Sequence, residues 1–155
     1  MITLIILGGV FASTLAYTRL FRGQAEMAYA GRLAMSVMLV CTGAGHFVFV
    51  DGMSMMLPEP VPFKTELIYL TGVIECMAAI GLLMPGLRVL TGWLLMVFFI
   101  LILPANIYAA VYQVDYQQGT FEGNGVEYLW FRIPLQILFI AWTYLSAIRP
   151  ATSSE

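Results

Sequence analysis

The sequence is poor in nearly everything a water-soluble protein uses to face its solvent. Only 10% of its 155 residues are charged, against about 25% in an ordinary globular domain. The two signs almost cancel, leaving a formal net charge of −2. No Lys/Arg run exists that would neutralise a line of phosphates, which excludes a nucleic-acid partner. His46 is the single histidine, and the two cysteines, Cys41 and Cys76, lack C-x-x-C spacing. One His beside one Glu supplies two ligands where a zinc site takes three or four, so no metal centre is expected. Internal repeats and low-complexity tracts are also missing.

Apolar surface takes their place: 61% of residues are hydrophobic and the mean hydropathy is +0.88. A folded chain of this length leaves roughly a third of its unfolded surface facing solvent, and here that solvent must be lipid. Five stretches approach the ~20 apolar residues needed to cross about 30 Å of hydrocarbon. They are 2–18, 31–50, 67–84, 87–112 and 128–148. The expectation is an all-α membrane protein of five spans. The first stretch is short, and a cleaved signal peptide is the competing reading. No Lys or Arg precedes its apolar run, however, and the cleavage-site pattern is poor. The fourth contains Pro104 and is expected to be kinked or tilted.

Charge in the connections gives an orientation. Arg19, Arg22, Arg32, Arg88 and Arg149 fall on one side. Lys64 is the lone basic residue on the other, among Asp51, Glu59, Glu66, Asp115, Glu122 and Glu127. Such asymmetry predicts an outward amino terminus and a cytoplasmic carboxyl terminus. Segment 51–66, stiffened by Pro58, Pro60 and Pro62, should be an extended or turn-rich cap on the bilayer surface. Segment 113–127 is polar, carries three glycines and reads as a flexible loop.

With the residues at the cytoplasmic ends set aside as flanking charge, five strongly polar side chains lie inside the spans: His46, Glu75, Asn106, Arg132 and Gln136. At 1.5 Å per residue they sit ~6–12 Å below the outer end of four different helices. An unpaired ionised group at membrane depth costs about 2.5–3.5 kcal/mol on insertion scales, so these groups should face inward and meet. Arg132 and Gln136, four apart, share a stripe. Glu75 shares a face with Gly72 and Ala79, and His46 with Gly43 and Thr42; small residues there let helices approach closely. Pro104 leaves the Ile100 carbonyl without its helical donor. The expected arrangement is a Glu75–Arg132 ion pair completed by His46, Asn106 and Gln136, lining a pocket toward the outer leaflet.

Other readings of the same residues are possible. His46 and Glu75 are chemically suited to general acid/base work on a lipophilic substrate, but nothing marks a nucleophile. The cluster also suits a structural clamp that fixes helix register. Cys41 and Cys76 read as small buried hydrophobes rather than a redox pair. The tyrosines and tryptophans near the span ends, including Tyr128, read as aromatic belts. A transporter is disfavoured because no polar path continues past Glu75 and Gln136.

Short motifs in fixed order complete the picture: Gly45-His46-Phe47, then P-E-P-V-P over 58–62, G-V-I-E over 72–75 and G-L-L-M-P over 81–85. Pro104-Ala105-Asn106 and L-W-F-R-I-P-L-Q over 129–136 follow. Over roughly 31–148 the chain resembles the DoxX-like family of small bacterial membrane proteins. That resemblance implies a four-helix membrane domain at 31–150 in the bacterial inner membrane. It is preceded by an additional helix and cytoplasmic loop at 1–30 and followed by a cytoplasmic tail at 151–155. It also implies a redox-associated accessory subunit with a redox-enzyme partner and membrane lipids around it. A bound quinone or lipid-like molecule would lie against His46, Glu75, Asn106, Arg132 and Gln136. The chain lacks the paired cysteines of quinone-coupled disulfide enzymes.

Overall fold

A computed structural model describes residues 2–152. Of the expected tail, 153–155 lie outside the described residues. The chain is all-α, and five of its helical segments are long and apolar enough to cross a membrane. They begin with α1 (Ile2–Phe21) and α2 (Met27–Val48). A short α3 (Val50–Ser54) precedes α4 (Lys64–Leu83) and α5 (Arg88–Val111). The last span opens with a 3₁₀ turn, Val126–Tyr128, and continues as α6 (Leu129–Thr143). It then widens into a π-helical turn, Tyr144–Ile148, before α7 (Arg149–Thr152).

Buried side chains converge on one apolar core: Met35, Met38 and Leu39 of α2, Leu82 of α4, Leu95 and Phe99 of α5, and Leu135 and Phe139 of α6. The outward faces are equally apolar, with Ile5, Leu20, Leu101 and Trp130 all largely exposed. Exposed apolar area of that extent in water would drive association. In a bilayer it is the ordinary lipid-facing surface.

Helix α2 is the centre of the bundle. It packs most extensively on α4, then on α1, and meets α6 and the π turn. The α2–α4 crossing is set by two glycines. A methyl group on Gly43 would stand 3.0 Å from the Gly72 carbonyl oxygen, and one on Gly72 would stand 3.1 Å from that of Gly43. The small-residue faces seen in the sequence are therefore the helix contact itself.

The up-and-down path leaves two chemically different ends. At one, Arg32 of α2 donates from Nη1 to the Ser146 carbonyl (2.9 Å), and Trp142 Nε1 donates to the Gly31 carbonyl (3.0 Å). Pro150, four residues beyond Ser146, has no N–H to offer that carbonyl, and the arginine supplies one. Arg22, in the turn between α1 and α2, pairs with Glu26 at 3.1 Å. That hydrogen bond and its charge hold the guanidinium pKa above its ordinary value. We call this the arginine end.

At the opposite, acidic end, α3 packs against the 113–127 loop. Gly52 lies directly on the Tyr116 backbone with no room for a side chain, and the Phe49 and Tyr116 rings meet edge-on at 6.1 Å. Segment 51–66 thus opens as a helix, and only its later part is the expected run of turns. The 113–127 loop carries hydrogen bonds of its own. Asp115 Oδ1 accepts from the Gln117 and Gln118 amides at 2.9 and 3.2 Å. Asp115 and Thr120 exchange backbone hydrogen bonds, and the Gly123 amide donates to the Gln113 carbonyl at 2.7 Å. Short-range carboxylate capping of this kind gives a loop its own framework.

Candidate functional site

The five intramembrane polar residues do not form one network. They divide between two helix pairs.

Glu75 and His46 face each other across the α2–α4 crossing. Glu75 is only 5% exposed, and His46 Nδ1 lies 3.7 Å from its Oε2. The same nitrogen is 3.0 Å from the Thr42 carbonyl. A carbonyl can only accept, so Nδ1 carries the proton and donates to Thr42. The Thr42 hydroxyl lies beside the Glu75 carboxyl, yet is within 3.2 Å of both the Met38 and Leu39 carbonyls, to which it donates. Glu75 Oε2 is left buried without a hydrogen-bond partner.

Arg132 and Asn106 meet across α5 and α6. The guanidinium donates twice to one oxygen, Asn106 Oδ1, from Nη2 at 2.9 Å and Nε at 3.3 Å. Its Cζ stands 6.0 Å from the centre of the Tyr128 ring, within cation–π range. The expected Glu75–Arg132 ion pair is absent: among the described residues Arg22 pairs with Glu26, and the Glu75 carboxyl has the His46 ring as its neighbour. Similar depth on separate helices fixes height but not direction, and α4 and α6 present these residues to different neighbours. Gln136, one turn below Arg132, donates through Nε2 to the Phe99 carbonyl. That carbonyl is one residue before Ile100, the acceptor that Pro104 releases, so α5 and α6 are tied close to the proline.

A cavity of about 340 Å³ occupies the acidic end. Asn106 and Arg132 line it, with Ala109 and Ala110 of α5 beside them. Tyr128, Met56, Ile2 and the loop segment Val114–Gln117 complete much of the wall. Of the sequence-predicted residues, Asn106 and Arg132 are on this wall; His46, Glu75 and Gln136 are not. Tyr128 and Asp115 are lining residues that sequence reasoning missed. Tyr128 had the aspect of a belt aromatic, and the only available signal for it was its four-residue spacing from Arg132. Asp115 was legible as a turn former, four residues before Gly119, but its position over the bundle depends on the α3 contact. Cys41 and Cys76 are free thiols on α2 and α4, and the Cys76 sulfur fills space against Gly43. Among the described residues no three His, Cys, Asp or Glu side chains come together as a metal-holding group.

Fold and site together define a small multi-pass α-helical membrane protein with a cavity of mixed polar and apolar lining at one end of its bundle. The chain belongs to the family described as a domain of unknown function, DUF8561, whose profile matches residues 33–147. That match covers α2 to the π turn and leaves α1 outside it. No curated protein and no solved structure matches the chain.

Proposed function

We propose that the protein is an accessory subunit of the bacterial inner membrane that holds a lipid-like small molecule, such as a quinone, in the cavity at its acidic end. One observation carries this reading. Arg132 lines the cavity, is held there by Asn106 Oδ1, and has no carboxylate within ion-pair distance among the described residues. A guanidinium at membrane depth is costly, and a bound polar head would offset that cost. Apolar wall residues such as Met56 and Val114 suit the body of an amphiphile. The DoxX-like motif order supports the redox-associated setting, and five arginines at one end support an outward-facing cavity. The experiment is purification in mild detergent followed by mass spectrometry of extracted small molecules and thermal-shift titration with decyl-ubiquinone and single-chain amphiphiles. A co-purifying or stabilising amphiphile is expected; neither appearing would overturn the proposal.

A second reading is proton-transfer chemistry through His46 and Glu75. The unpartnered, buried Oε2 beside a protonated Nδ1 favours it. It requires that His46→Ala abolish an identified turnover while leaving the fold intact.

A further inference from the structure

The cavity's polar groups are unequal in sign. Both N–H bonds that Arg132 directs at Asn106 converge on one oxygen, which leaves Nη1 and the second Nη2 proton without an acceptor on Asn106. Asn106 is 7% exposed. With Oδ1 occupied, its amide nitrogen has only donors to give. The bundle side of the cavity is thus a cation beside further N–H donors.

Asp115, the acidic residue on the lining, turns Oδ1 toward the Gln117 and Gln118 amides of its own loop. It lies outside ion-pair distance of Arg132. Tyr128 faces the guanidinium with its ring and adds no charge. Among the described residues no carboxylate lies within ion-pair distance to balance the positive charge at the cavity wall.

We propose that the occupant is an anionic amphiphile, with a carboxylate or phosphate head on Arg132 and Asn106 and a compact apolar body against Ala109, Ala110 and Val114. This rests on the reading of the cavity as an amphiphile site and narrows it from neutral or charged heads to charged ones. The volume, about 340 Å³, has room for roughly ten groups of water or methylene size. That suits a head and a short chain rather than a whole two-chain lipid. A planar two-oxygen anion matches the fork of a guanidinium, and charge-assisted hydrogen bonds are about twice as strong as neutral ones.

The test uses the full chain in phosphatidylcholine nanodiscs, which contribute no net anionic lipid, titrated with decanoate, decyl phosphate, decanol, decyl-ubiquinone, acetate and inorganic phosphate. Decanoate or decyl phosphate is expected to bind at least about tenfold more tightly than decanol. Acetate and phosphate should bind weakly, marking a lipid-derived rather than a free anion. Tighter binding of the free anions than of their decyl counterparts would overturn the amphiphile assignment. Arg132→Gln should remove the preference for decanoate over decanol, and Arg132→Lys should keep most of it. Equal binding of decanoate and decanol to the native protein would overturn the inference even if Arg132→Gln does not fold. Decyl-ubiquinone binding that survives Arg132→Gln would overturn the anionic assignment while leaving the amphiphile site standing. No binding by any decyl compound would remove both.

Discussion

Arg132 and Asn106, 26 residues apart on adjacent helices, are joined by two hydrogen bonds that end on a single oxygen. One acceptor therefore holds a guanidinium whose residue lines the cavity. Asn106→Ala is expected to cost about 1.5–3 kcal/mol, the range for a hydrogen bond to a charged partner. Asn106→Asp should do the opposite, converting the contact into an ion pair and raising the unfolding temperature in detergent. The same substitution should weaken anion binding, because the charge is then balanced from within. Stability and binding moving in opposite directions distinguishes this arrangement from a structural clamp, in which they would move together.

The crossing of α2 and α4 makes a second prediction. A methyl group at Gly43 would meet Cys76 Sγ at 2.9 Å and the Gly72 carbonyl at 3.0 Å. Gly43→Ala should destabilise by about 1–3 kcal/mol, as overpacking generally does. Gly8→Ala is the control: nothing lies within 4 Å of that position on α1, and its thermal unfolding should be unchanged or slightly raised, alanine being favoured over glycine inside a helix by up to about 1 kcal/mol.

Double-mutant cycles separate the two polar pairs. Glu75→Gln and Arg132→Gln should be additive to within about 0.5 kcal/mol, as distant sites are. Glu75→Gln with His46→Ala should show a coupling above that value, since the two side chains face each other at 3.7 Å. Coupling between Glu75 and Arg132 instead would contradict the division into two clusters.

Asp115 organises its loop through one carboxylate oxygen that accepts two amides. Asp115→Ala should accelerate amide hydrogen exchange at Gln117 and Gln118 by about tenfold or more, a hydrogen bond to a charged acceptor being worth about 1.5–3 kcal/mol. Asp115→Asn, which keeps the acceptor, should leave exchange nearly unchanged.

Orientation is open to direct measurement. In a background with Cys41→Ser and Cys76→Ser, Gln118→Cys should react with a membrane-impermeant maleimide in intact cells. Gln24→Cys, at the arginine end, should react only after the membrane is opened. The reverse pattern would invert the proposed topology.

Much of the fold was legible because each span is a local property. The five stretches read from composition overlap the five observed helices, and boundaries differ by at most four residues, as at α2, which starts at Met27 rather than 31. Depth was legible for the same reason, since helical rise converts sequence position into height. Direction around the bundle was not. Glu75 and Arg132 were matched by charge and height, but the partner of each is decided by which helices touch. That is fixed by long-range contacts such as Gly43 on Gly72. Complementary signs also misled: Arg132 took a neutral amide, and Glu75 took a histidine. Residues at the arginine end were set aside as ordinary flanking charge, although Arg32 closes the bundle through the Ser146 carbonyl.

That closure has a consequence for how the protein is made. Arg32 reaches 114 residues along the chain to Ser146, and Gly31 reaches 111 to Trp142. Helices enter the membrane one at a time as they are synthesised, so α2 and α4 can dock on their glycines early. The seam between α2 and the final span stays open until residue 146 has been translated. During that interval Arg32 lacks the Ser146 carbonyl that it binds in the finished bundle.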